Sequence, residues 1–78
     1  MRIEIISPTT TLFSGEVSIV QLPGIDGSFE ILESHAPLVS ALDKGKVKVV
    51  DDKNEEKFFE INGGVVEVSN NKVLVLAE

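Results

Sequence analysis

The stretch Asn54–Ile61, NEEKFFEI, can be read in two ways, and the fold class turns on the choice. Its glutamates and lysine suit a helix, and Gly63 is placed to cap one. Eight residues are short for a helix, however, and the preceding Asp51–Asn54, DDKN, makes a good hairpin turn back from Lys46–Val50, KVKVV. Read as a strand, the segment joins a chain in which every other apolar run also has the two-residue period of a sheet.

Outward from it, the runs are RIEII near the start, EVSIVQL at Glu16–Leu22, SFEIL at Ser28–Leu32, KFFEI at Lys57–Ile61, VVEV at Val65–Val68 and KVLVLA at Lys72–Ala77. Turn-tolerant residues separate them at Thr9–Thr11, Ser14-Gly15, Gly24–Gly27, Lys44-Gly45, Asn62–Gly64 and Asn70-Asn71. Many short strands with close turns predict an all-β fold: a flattened antiparallel β-sandwich or barrel of two sheets, as one domain over residues 1–78. The alternation breaks at Ile19-Val20, which predicts a β-bulge or one apolar side chain facing outward.

A 78-residue chain buries a thin core and usually needs a disulfide, a metal or a partner surface. The chain has no cysteine and one histidine, which removes the disulfide and argues against a zinc site. Thirteen acids against seven bases give a net charge of −6, which repels phosphate backbones and anionic lipids, so nucleic acid is not an expected partner. Lys44, Lys46 and Lys48, at alternate positions, read as a solvated strand face. No apolar run approaches the roughly 20 residues that span a bilayer, and MRIEII is too short for a signal-peptide core, so a soluble chain without membrane insertion is expected.

The lone histidine, His35, is where any acid–base chemistry would have to start. No glycine-flanked elbow surrounds Ser34 or Ser40, and the glycines form no phosphate-binding fingerprint. An enzyme pairing His35 with Glu33 and a generic sandwich that binds a small ligand stay open as alternatives; either needs a concave pocket with converging polar groups. More prominent is an imbalance: Gly24–Pro37 holds Asp26, Glu30 and Glu33 and no lysine or arginine, which makes an acidic tip. After it, Pro37 stiffens SHAP into a rigid corner beside Leu38 and Val39, a shape suited to docking because it loses little entropy on binding.

The order SPTTTLFSGEV, Gly24–Ile31, HAPL, KGKVKV, INGGVVEV and KVLVLAE resembles the epsilon subunit of the F-type ATP synthase, the counterpart of the mitochondrial delta subunit, over the whole length. The resemblance implies a β-sandwich on the central stalk that grips the gamma subunit and the polar loops of the c-ring, transmits torque driven by protons or sodium ions, and catalyses nothing itself. It implies no cofactor, and a peripheral place at the cytoplasmic face of the bacterial plasma membrane. By the same resemblance Ser7, His35 and Ser40 face gamma, while Asp26, Ser28 and Glu30 approach the c-ring. Ser28 and Glu30 depart from the family pattern, which moves the acidic contact to Glu30 or Asp26. Longer relatives continue into a C-terminal helical hairpin that restrains rotation and in some binds ATP; with the sequence stopping at Glu78, both activities are expected to be missing.

Overall fold

A computed structural model describes residues 1–78 and contains strands only. They are β1 Arg2–Ile6, β2 Thr11–Glu16, β3 Ile19–Gly24, β4 Gly27–Leu32, β5 Leu38–Val50, β6 Glu56–Ser69 and β7 Lys72–Ala77. The decisive segment is extended: Glu56–Ile61 opens β6 and pairs with Gly45–Val50 of β5. The hairpin turn before it is held by the Asp51 carboxylate, which accepts from the Lys53 and Glu55 amides at 2.9 Å each.

The strands lie in the order β2-β1-β7-β6-β5-β3-β4, one continuous and open sheet. All neighbours are antiparallel except β1 and β7, which run parallel from Arg2–Lys72 to Ile6–Leu76. The sheet doubles over. In a flat sheet β2 and β6 would stand three spacings, about 14 Å, apart. Instead the rings of Phe13 and Phe59 meet with centroids 5.2 Å apart. The sandwich expected from the sequence is thus built from two halves of one sheet. One layer holds β4, β3, the end of β5 and the start of β6; the other holds the start of β5, the end of β6, β7, β1 and β2.

β5 and β6 each run through both layers, where the sequence suggested turns at Lys44-Gly45 and Asn62–Gly64. Their ladder goes from Leu42–Gly64 to Lys44–Asn62 without a slip, yet the face they bury reverses there. Odd positions, Val47, Val49 and Ile61, point inward in one layer, and even positions, Leu42, Val66 and Val68, in the other. Gly64, at φ +149°, absorbs the reversal; a Cβ there would lie 2.2 Å from the Leu76 carbonyl oxygen. The glycine pair that reads as a turn is a change of phase inside a strand. Likewise Thr11 and Ser14-Gly15, read as turn residues, belong to edge strand β2.

Sixteen buried apolar residues form one core cluster, and no polar or charged side chain is buried. Of the Ile19-Val20 pair, Val20 enters the core, while Ile19 faces out between Leu32 and Val50 in a small apolar row. Of the two alternatives for this pair the outward side chain is the one found; the register of β3 against β5 shifts only further on, between Gln21 and Gly24.

Candidate interaction surfaces

The β3–β4 hairpin ends in the two-residue turn Ile25-Asp26, closed by the Gly24–Gly27 pair. Asp26 is exposed at the turn, and Ser28 and Glu30 are exposed on β4, an edge strand. Two residues apart, Ser28 and Glu30 share a face about 7 Å apart along the strand. Neither Asp26 nor Glu30 takes part in an ion pair; the ion pairs join Met1 to Glu16 and Glu33, Lys48 to Glu56, and Lys72 to Glu4. The hairpin therefore presents uncompensated negative charge beside the exposed Ile25.

Glu33 does not belong to that tip. It follows β4 at the opposite end, where its carboxylate meets the Met1 ammonium and accepts from Asn71 Nδ2 at 2.9 Å. Asn71 Oδ1 in turn accepts the Ser34 amide at 2.9 Å, and Ser34 takes the left-handed φ of 61°. The His35 amide reaches the Leu32 carbonyl at 3.2 Å, and its Nδ1 lies 2.7 Å from the Ala36 carbonyl oxygen. The corner is thus tied to the β6–β7 turn, and the carboxylate an enzyme would pair with His35 is already engaged elsewhere.

The hydrogen bond from the Met1 ammonium, then that from Asn71, holds the Glu33 carboxyl below the ordinary glutamate value. Its folded pKa lies below its unfolded one, so this stabilisation is complete above about pH 4.3 and disappears as pH falls through the lower folded value. Glu33→Gln is expected to flatten the fall of melting temperature on acidification below about pH 4.3. Melting curves of both proteins from about pH 6 to pH 2 check this; parallel acid limbs would count against the contact.

Ser7, His35 and Ser40 are not brought together. Ser7 caps a turn after β1, its Oγ accepting the Thr10 amide at 3.2 Å, whereas His35 lies at the level of Arg2 through Asn71, about 16 Å away along the strand direction. Ser40 sits on β5 opposite Val66. Ser7 lies at one end of the outer face of the second layer, while Ser40, sharing the phase of buried Leu42 and Val66, points to its inner side.

One end of the outer face of the second layer is apolar, and the other carries Arg2 and the Lys72–Glu4 ion pair. Ala41, Val65, Leu76 and Ile6 form a continuous cross-strand row, with Val39 and Leu74 in the row beside it. Val65 is 40% exposed, Leu76 46% and Val39 69%. Between Val39 and Leu74 stands Glu67, exposed and without an ion-pair partner. The sequence reading reached only the Leu38-Val39 margin of this surface, although a signal for the rest was available in Ile5-Ile6 and Val65-Val66, apolar doublets like Ile19-Val20. The largest hollow, about 290 Å³, is lined by Ile6, Ser7, Pro8, Leu76 and Ala77 and contains no titratable side chain.

Comparison with known proteins gives the same architecture. The family described as ATP synthase, Delta/Epsilon chain, beta-sandwich domain matches residues 1–78. An ATP synthase epsilon chain of Chlorobium limicola is 47% identical over 78 residues, covering 99% of this chain and 88% of that one. One from Lawsonia intracellularis is also 47% identical, with 100% of this chain but 58% of the relative covered. Among solved structures, a chain of the Euglena gracilis mitochondrial ATP synthase superposes with TM-score 0.90 at 18% identity, over 96% of this chain and 48% of that one. A chain from the central stalk and c-ring of the Tetrahymena thermophila enzyme gives 0.82 at 19%, over 99% and 62%. At these identities the structural likeness concerns the fold.

Proposed function

Since the chain belongs to the ATP synthase delta/epsilon family, whose β-sandwich domain spans all of its residues, we propose that it is a non-catalytic rotor subunit that joins gamma to the c-ring and keeps the two turning together. The observation that carries this reading is the division of the surface. Uncompensated acids occupy the β3–β4 turn, whereas the outer face of the second layer carries an apolar field at the Ile6–Ala41 end, interrupted by Glu67 and bounded by Arg2 and the Lys72–Glu4 ion pair. Asp26, Glu30 and the neighbouring Ser28 then meet polar loops of the c-ring, and Ser7, His35 and Ser40 border the surface that meets gamma. Torque passes between the two through a stiff, doubly layered sheet. The coupled ion is a proton or sodium, and the subunit rides peripherally at the cytoplasmic face of a bacterial plasma membrane. No helix of the chain is long and apolar enough to cross that membrane.

Charge at the tip steers docking more than it holds the complex, because exposed charges act mainly on encounter rate. Asp26→Asn with Glu30→Gln is therefore expected to slow assembly onto gamma and c-ring by about two- to fivefold at low salt, leaving binding to isolated gamma nearly unchanged. Stopped-flow association from about 20 to 300 mM salt should show a flatter salt dependence for the double variant. A slope equal to that of the unmodified chain would remove the tip from the ring contact.

A further inference from the structure

Besides β2, β4 and the first half of β6, the seven-stranded order leaves one more edge open. β3 flanks β5 at Lys48–Val50 and again at Leu42, but nothing pairs with Leu38–Ala41 on the side away from β6. Which backbone groups point there follows from the phase of the strand. In a strand of L-residues, side-chain direction and N–H/C=O direction alternate together. Val50, buried but outside the core cluster and opposite in phase to inward Val49, sends its carbonyl away from β6, to the Ser18 amide at 2.7 Å. Outward-facing Ala41 does the same, toward the Ile25 amide at 3.4 Å. Val39 has the phase of Ala41, so its N–H and C=O, and the N–H of Ala41, project from the open edge.

Natural sheets blunt such edges with charge, proline or a bulge. Here Leu38–Leu42, LVSAL, carries none of these, and Val39 is 69% exposed, the most exposed large apolar residue of the chain. Pro37 and the hydrogen-bonded SHAP corner hold the segment extended before anything binds, which lowers the entropy cost of pairing. We propose that Leu38–Ala41 is a strand-addition site that takes an extended, uncharged segment of a partner protein onto the second layer by backbone hydrogen bonds. A second copy of this chain is a poor occupant, because two molecules of charge −6 repel. Resting on the stalk reading above, the occupant is an edge strand of gamma, continuous with the His35 and Ser40 contacts on the same segment.

Amide hydrogen exchange of the 78-residue chain, alone and with purified gamma, tests this without altering the protein. Val39 and Ala41 amides should exchange rapidly in the free chain and slow by about 100-fold or more with gamma, while the Ser40 amide, directed at β6, changes little. Val39→Pro deletes the outward donor, a change edge strands tolerate, and should weaken gamma binding about tenfold or more. Val39→Thr keeps the donor and the branched shape and should stay within about threefold. Binding of gamma without new protection at Val39 and Ala41 overturns the strand-addition site and leaves the stalk reading standing; failure of the unmodified chain to bind gamma overturns both.

Discussion

Gly64→Ala is expected to lose most of the domain's stability. The backbone there has φ +149°, outside the range that L side chains adopt, and the added Cβ would lie 2.2 Å from the Leu76 carbonyl oxygen and 3.1 Å from Ala77 Cα. Both are backbone atoms of the paired strand β7, so no side chain can swing away. Strained dihedral and clash together should cost roughly 3–5 kcal/mol. For a domain of this size that lowers the melting temperature by about 15–30 °C. Gly27→Ala is the control: φ is +124°, but nothing lies within 4 Å of the new Cβ, so only the dihedral strain of about 1–3 kcal/mol remains. Thermal melts that rank the two substitutions equally would refute a steric role for Gly64.

Ile5→Ala should be the second most damaging change. Ile5 is fully buried in β1, between Phe13 of β2 and Val75 of β7, in a cluster of only sixteen residues. Its truncation should cost about 2–5 kcal/mol through lost burial and the cavity left behind. Leu76→Ala, one residue beyond Val75 on the outer face and 46% exposed, should cost well under about 1 kcal/mol. Urea unfolding gives both values, and under the stalk reading the ranking inverts for gamma binding, where Leu76 matters more. Equal stability losses would mean that the outer row is part of the core.

The strand content was legible because two-residue periodicity reports burial of one face, and the shortness of NEEKFFEI with the hairpin turn before it decided that segment correctly. What periodicity cannot report is a strand that changes which face it buries. At Ile61–Val66 the inward positions pass from odd to even across Asn62–Gly64, so the pattern breaks as it would at a turn, although the hydrogen-bonded ladder continues. The parallel β1–β7 pair was illegible for another reason: its partners are 70 positions apart, and no local signal encodes a non-local register. At the surfaces, charge imbalance located Asp26 and Glu30 but miscast Glu33. That carboxylate is neutralised by Met1 and Asn71, which are distant in sequence and adjacent only in the fold. Beyond Leu38-Val39 the apolar outer face was overlooked because doublets such as Val65-Val66 were credited to the core alone.

The parallel pairing of β1 with β7 also fixes an order of events during synthesis. β1 is synthesised 70 positions before its parallel partner, for it lies between β2 and β7, and β7 spans Lys72–Ala77. The layer built on β3, β4 and the β5–β6 hairpin has all its strands once Ser69 has emerged, whereas β1 and β2 can form no more than an isolated two-stranded ribbon, which is marginal in water. Ile3 and Ile5 therefore stay exposed until nearly all of these residues have been made. Such late, non-local closure slows folding and lengthens the time that apolar surface is open to wrong partners. The nascent domain passes through a half-assembled stage before β7 is available, and the half that waits is the one that carries the apolar outer face.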